Sequence, residues 1–167
     1  MRQQLSHIMI ALGVLNGLAP AVSHATTFID VSTETVARSS DRVVVGSVVA
    51  IETRWAGARI VTRVAMRPDA GAAVVWFEHP GGTVDDITMQ VIGMPTFTPG
   101  ERALVLLRWR RDRLRLVGLA QGKLAIVRAA GRDVVEVRRG PHGERLELVP
   151  VVEAYLELAA MVAPSVP

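Results

Sequence analysis

The stretch RVVVGSVVAIETRW, residues 42–55, decides the fold class. Its first half is apolar on both sides, whereas its second half alternates and places Glu52 and Arg54 on one side. An apolar run followed by a two-residue alternation predicts one long β-strand that starts in the core and ends at the surface. Gly46 has no Cβ, and we expect the strand to bend there.

The segments that follow continue the β pattern. Residues 59–67 alternate cleanly, and Ile60, Thr62, Val64 and Met66 share one face. Further short strands are predicted at residues 72–79, 102–109, 113–119, 122–128 and 133–138. Turn signals separate them at Gly57, Pro68-Asp69, Arg111-Asp112 and Ala130-Gly131. Many short strands separated by such turns are typical of a mostly β barrel or sandwich.

Two helices are predicted outside this β region. Ser32 or Thr33 can cap a short N-terminal helix that ends by Asp41. After Pro150 the period becomes helical, with an apolar stripe formed by Val152, Tyr155, Leu156 and Ala159. We therefore expect a single OB-like β-barrel domain over residues 26–149, with a short N-terminal helix and a C-terminal helix over 150–163 packed on the barrel.

Residues 1–25 have the pattern of a secretory signal peptide. Arg2 provides a positive charge, residues 8–15 form a short apolar run, and Ser23-His24-Ala25 places small residues at a cleavage site. The mature chain would begin at Thr26, would keep no transmembrane segment, and would be periplasmic or extracellular.

The composition excludes several classes of chemistry. The chain has no cysteine, so it has no disulfide, thiolate zinc site or cysteine nucleophile. Its formal net charge is only +3, which does not indicate a nucleic-acid partner. The sequence contains no G-x-S-x-G motif, and GLAQGK at 118–123 has the wrong spacing for a phosphate-binding loop. We expect no cofactor.

The long connection at residues 79–101 divides into two parts. GMPTFTPGE, residues 93–101, is interpreted as a structural corner, with Phe97 in the core. The part before it is polar and rich in glycine, which favours a recognition loop. Its candidate binding residues are Gly81, Gly82, Asp85 and Asp86.

The segment RWRRDRLR, residues 108–115, is the most uneven in charge. It is predicted to form a hairpin, and its candidate binding residues are Arg108, Trp109, Arg110, Arg111 and Arg113. Arginines with an indole beside them suit an anionic lipid, a polysaccharide or an acidic protein. The alternative is structural, because an outward strand face needs charge and charged side chains protect strand edges.

Catalytic and metal sites have weaker support. Asp85 and Asp86 are adjacent, and neighbouring side chains of an extended loop point apart rather than converging on one bond. His79 and His142 are both interpreted as exposed turn residues. No spacing typical of metal ligands connects them, so we expect no metal site.

Several strings, in order, resemble a family of uncharacterised exported bacterial proteins. They are VVVGSVVAIETRW, RIVTRVAMR, VIGMPTFTPGERALVLL and LVGLAQGKL, and the match covers residues 32–127. Members of that family have a VVVG-x-V strand, a G-x-P-x-F-x-x-GE turn and a GLAQGK segment. The resemblance implies an exported protein and does not imply an activity.

The order of these parts also resembles the netrin-like modules of metalloproteinase inhibitors, which adopt an OB-type barrel. Those inhibitors depend on cysteines, including an N-terminal cysteine that chelates the protease zinc. This chain has no cysteine, and the corresponding position would be the free amine of Thr26.

The sequence predicts an exported, non-catalytic binding module for a protein or an anionic envelope component. One alternative is a protease inhibitor, or a protease-associated partner, of netrin-like type. The other alternative is an enzyme that uses Asp85, Asp86 and His79.

Overall fold

The computed structural model describes residues 30–71 and 73–162. This part of the chain is mostly β-structure with two α-helices. Helix α1 is Thr33–Arg38 and helix α2 is Val151–Met161. The strands are β1 Arg42–Ala56, β2 Arg59–Pro68, β3 Val75–Pro80, β4 Gly82–Val84, β5 Ile87–Met89, β6 Arg102–Arg110, β7 Arg113–Leu116, β8 Lys123–Ala129, β9 Arg132–Arg139 and β10 Arg145–Pro150.

Five of the strands form a ring of hydrogen-bonded neighbours. The order is β1-β2-β3-β7-β6, and β1 also pairs with β6, which completes the ring. The β3–β7 pair is parallel and the other four pairs of the ring are antiparallel. Strand β1 closes the ring, because its first half pairs with β6 and its second half pairs with β2.

Gly46 lies where β1 changes from one partner strand to the other. It is opposite Pro68 of β2 and Ala103 of β6. A Cβ at this position would lie 2.2 Å from the carbonyl oxygen of Arg67, so only glycine lets the two backbones approach this closely. The register of β1 and β2 shifts just beyond it, between Val48 and Ala50.

The remaining long strands extend the sheet beyond the ring. Strand β8 pairs with the first half of β6, followed by β9 and then β10 at the edge. Both helices pack on β9, and α2 also contacts β1 and β10. Ser32 caps the N-terminus of helix α1, and its hydroxyl accepts a hydrogen bond from the backbone N–H of Thr35, as the sequence predicts.

Strand β6 separates two hydrophobic cores. Ala103, Val105 and Leu107 face the interior of the ring together with Phe77 of β3. On the opposite face, Leu104 and Leu106 pack in a second cluster that includes Leu158 of α2. A strand buried on both faces needs apolar residues at every position, which explains the unbroken run ALVLL in the sequence.

Arg139 of β9 holds both helices against the sheet. Its guanidinium pairs with Glu34 of α1 at 2.5 Å, with Glu157 of α2, and with Glu147 of β10 at 3.3 Å. Hydrogen bonds to Glu157 and Glu34 raise the pKa of Arg139 above its usual range, so this cation stays charged at any ordinary pH.

The predicted apolar stripe of the C-terminal helix is wrong. The buried side chains of α2 are Val151, Ala154 and Leu158. Val152 and Leu156 of the predicted stripe are 70% and 62% exposed. The predicted corner at residues 93–101 is confirmed at Phe97, whose ring meets that of Phe77 edge to face at 5.4 Å.

Candidate functional site

A row of charged residues crosses the outside of the five-stranded ring. Cross-strand pairing places Glu52 opposite Arg63, Arg63 opposite Glu78, Glu78 opposite Arg115, and Arg115 opposite Arg108. Each strand of the ring contributes one member, because all five positions point away from the ring interior. We call this side the arginine face. Its arginines are Arg54, Arg63, Arg108, Arg110, Arg113 and Arg115.

Glu78 is the buried anion at the centre of the arginine face, with a side chain only 6% exposed. It accepts hydrogen bonds from Arg54 at 2.8 Å and from Arg113 at 3.0 and 3.2 Å, and Arg63 lies 3.6 Å away. Burial alone would raise the pKa of Glu78, but the hydrogen bonds and charges of Arg54 and Arg113 outweigh it and lower the pKa.

The β6–β7 hairpin, residues 102–116, carries the densest positive charge. Arg108 lies opposite Arg115, and Arg110 lies opposite Arg113. Like charges directly opposite each other disfavour strand pairing. Arg113 is neutralised by Glu78, whereas within residues 30–71 and 73–162 no carboxylate lies within salt-bridge distance of Arg108, Arg110 or Arg115. Arg110 is exposed, and Arg108 and Arg115 are partly exposed.

The indole ring beside the arginines is not the one that the sequence predicts. Trp109 alternates with Arg108 and Arg110, so it projects to the other side of the hairpin and does not stack beside them. Its backbone N–H donates to a carboxylate oxygen of Asp41 at 2.7 Å. The indole on the arginine face is that of Trp76, which lies 4.7 Å beneath the guanidinium of Arg63.

The segment predicted to be a recognition loop is a small β-hairpin made of β4 and β5. Gly81 and Gly82 have a packing role. Thr62 donates to the carbonyl oxygen of Gly81 at 2.7 Å, and a Cβ on Gly82 would lie 2.6 Å from side-chain atoms of Thr53 and Thr62. The two glycines, predicted as binding residues, therefore have a packing role that the sequence does not indicate.

Asp85 and Asp86 form the tip of this hairpin. Both have positive φ, 47° and 65°, which is the backbone of a two-residue type I′ turn. Their side chains are exposed. Among the hydrogen bonds and ion pairs of the described residues, none joins either carboxylate to another side chain.

The residues of the enzyme alternative do not come together. The sequence predicts an exposed turn at His79, but this residue lies in β3 and is 8% exposed, so the prediction is wrong. Its Nδ1 lies 3.1 Å from the carbonyl oxygen of Pro80, its ring packs on Phe97, and burial lowers its pKa. His142 is exposed in a separate turn. Within the described ranges, no three His, Asp or Glu side chains are placed to hold a metal ion.

Sequence reasoning missed the residues that centre the site, namely Glu78, Arg54 and Arg63. The two-residue alternation places Arg54 and Arg63 outward, but it does not reveal which strands are neighbours. Arg111, the remaining candidate of the hairpin, occupies its turn with φ 60° and is exposed. Thr26 and the predicted signal at residues 1–25 lie outside the described residues.

Comparison of the chain with protein-family models, curated proteins and solved structures finds no significant match. None of the helices in the described ranges is long and apolar enough to cross a bilayer. The arrangement of the arginine face is therefore the observation from which function can be argued.

Proposed function

We propose that the protein is an exported, non-catalytic binding module that holds an anionic envelope component on its arginine face. The observation that carries this proposal is the set of three uncompensated cations, Arg108, Arg110 and Arg115, on one side of one hairpin. Placing like charges across a strand pair costs stability, and an anionic ligand offsets that cost when it binds.

We also infer that the five-stranded ring is an OB-like barrel. Its strand order and its parallel β3–β7 pair support this inference. OB barrels bind oligosaccharides and oligonucleotides on the face of their second and third strands and on the loops flanking it. Here the second and third strands carry Arg63, Trp76 and Glu78, and the loop between the fourth and fifth strands is the turn of the arginine hairpin.

The chemistry of the face favours an extended polyanion, such as an acidic polysaccharide. Guanidinium groups on four strands, β1, β2, β6 and β7, match repeated carboxylate or sulfate groups better than one compact anion. Trp76 offers an apolar surface to a sugar ring. Export of the chain is supported by its predicted signal and by the resemblance to exported bacterial proteins, and it makes an envelope polymer the accessible partner.

Binding of dextran sulfate, compared with neutral dextran of the same length, tests this proposal. We expect dextran sulfate to bind and dextran not to bind, with an affinity that falls steeply as salt rises, because salt screens exposed charges. Replacing Arg108, Arg110 and Arg115 together by glutamine should weaken binding about tenfold or more, because the three uncompensated cations are lost.

The matched control is the triple glutamine variant of Arg38, Arg132 and Arg145. These arginines are exposed and lie in α1, β9 and β10, outside the five-stranded ring, and their replacement changes the net charge by the same amount. This control should bind dextran sulfate within about twofold of the unmodified protein. Equal losses in the two triple variants would mean that binding follows net charge, and the arginine face would be rejected as the site.

A further inference from the structure

A cleft of about 780 Å³ lies between the first half of β1, the end of β2 and helix α2. The first half of β1 contributes its floor, with Val43 and Val45. Helix α2 contributes one wall, with Val152 and Tyr155, and the β2 terminus contributes Pro68. This volume is in the range of pockets that hold small ligands, which are mostly apolar with a few charged groups.

The wall of this cleft exposes apolar side chains to solvent. Val152 is 70% exposed and Tyr155 is 39% exposed, although both belong to a helix whose other face is fully packed. Val43 and Val45 are only half-buried, because the second core packs against only part of each side chain. These side chains form one apolar surface along the cleft.

The rim of the cleft is cationic. Four arginines line it, namely Arg42, Arg102, Arg128 and Arg132, against two aspartates, Asp69 and Asp133. Arg102 bridges both aspartates at 2.5 Å, and Arg128 is 3.5 Å from Asp133. In the described part of the chain neither Arg42 nor Arg132 has an ion-pair partner. Two positive charges therefore remain unmatched beside an apolar surface.

We propose that this cleft binds an amphiphilic anion, namely a long-chain carboxylate. The chain lies on Val43, Val45, Val152 and Tyr155, and the carboxylate is held by Arg42 and Arg132. The apolar chain of the ligand thus contacts apolar side chains, and its carboxylate contacts guanidinium groups. Burial of the chain removes apolar area from water on both partners, and the carboxylate gains charge-assisted hydrogen bonds.

The cleft combines an apolar wall with two unmatched guanidinium groups, and this combination argues against two simpler kinds of ligand. A neutral apolar molecule leaves the two unmatched guanidinium groups without compensation, whereas a small hydrophilic anion leaves the exposed wall of α2 in water. Only a ligand with both parts satisfies the whole cleft. This site is separate from the arginine face and does not depend on the function proposed for that face.

Displacement of 1-anilinonaphthalene-8-sulfonate from the intact protein tests the proposal. The dye is itself an apolar ring system with an anionic group, so we expect it to bind with increased fluorescence. Dodecanoate should displace it at least about tenfold more effectively than dodecanol, because only dodecanoate carries the charge.

Two pairs of variants locate the binding. Val152→Asp places a like charge beside the bound chain and carboxylate, and it should weaken dodecanoate binding about tenfold or more. Leu156→Asp is its control, because Leu156 is also mostly exposed on the same helix but does not line the cleft. Arg42→Gln with Arg132→Gln should also weaken binding about tenfold, whereas Arg59→Gln with Arg145→Gln should change it by less than about twofold.

Three results would overturn the proposal. They are the absence of dodecanoate binding, equal displacement by dodecanol and dodecanoate, and equal losses in Val152→Asp and Leu156→Asp. Circular dichroism of each variant confirms folding. Because Val152 and Leu156 are both exposed, neither substitution disturbs a core, so a loss confined to Val152→Asp reports on the cleft itself.

Discussion

Replacing Glu78 by glutamine is expected to lower the free energy of unfolding by about 2–3 kcal/mol. The substitution preserves the size of a side chain that is only 6% exposed, but it removes the charge that Arg54 and Arg113 neutralise. Both arginines keep about two fifths of their surface in water, which limits the cost below that of a fully buried pair. Urea denaturation at neutral pH measures the effect.

The effect of Glu78→Gln on the free energy of unfolding should also depend on pH. The fold lowers the pKa of Glu78 below 4.5, so the ionised carboxylate stabilises the folded state at pH values above 4.5. This stabilisation is lost progressively as pH falls through 4.5 and on through the lower folded pKa. The difference in unfolding free energy between the unmodified protein and Glu78→Gln should therefore narrow in acid. Other carboxylates are present in both proteins and cancel in the difference.

Glu52→Gln is the matched control for Glu78→Gln. Glu52 also faces Arg63 across the sheet, at 3.5 Å, but its side chain is 53% exposed. An exposed ion pair contributes little, so this change should cost no more than about 0.5 kcal/mol. If the two variants lost equal stability, Glu78 would not be the centre of the charged row.

Phe77→Ala is expected to destabilise the protein by about 3–5 kcal/mol. Phe77 is fully buried inside the ring, and no neighbouring strand can move in to fill the space, because each is hydrogen-bonded on both sides. Chemical denaturation followed by tryptophan fluorescence measures the loss. Trp109→Ala is the control, since that aromatic ring is 46% exposed, and it should cost less than about 1 kcal/mol.

The two cores on either side of β6 lead to a further prediction, which combines Phe77→Ala with a second substitution. Leu158→Ala empties space in the second core and should cost about 2–5 kcal/mol. Because Phe77 and Leu158 belong to different clusters, their costs should add to within about 0.5 kcal/mol in the double variant. A clear departure from additivity would show that the two clusters pack as one.

The sequence predicts the strands well where one face is polar and the other is apolar. In residues 59–67, Ile60, Thr62, Val64 and Met66 are all buried as expected, although Val61 and Ala65 on the other face are buried too. The unbroken run at residues 103–107 also predicts a strand, because only burial on both faces tolerates it. Local patterns contain this information because strand faces alternate by covalent geometry.

Other features depend on information that local patterns lack. The helix α2 has two apolar stripes, one through Val152 and one through Ala154, and periodicity does not choose between them. The structure buries the stripe whose small Ala154 permits close approach to the sheet. The β4–β5 hairpin escaped prediction because its turn is Asp85-Asp86 rather than the common Asn-Gly or Asp-Gly.

The candidate site was predicted in part. The arginine hairpin is visible in sequence because its charges are contiguous, and the structure leaves Arg108 and Arg110 available. The role of Arg113 was not visible, because its partner Glu78 reaches it only through the parallel pairing of β3 and β7. That register joins segments far apart in the chain, and a single sequence does not specify it.

The pairing of β1 with β6 also bears on how quickly the chain reaches its native state. Arg42 pairs with Leu107, so the ring closes only when two segments far apart in the sequence come together. Contacts between such distant segments raise the contact order, and proteins of this kind fold in milliseconds to seconds. Until β6 arrives, the apolar first half of β1 has an unpaired edge, which is the stage at which aggregation competes with folding.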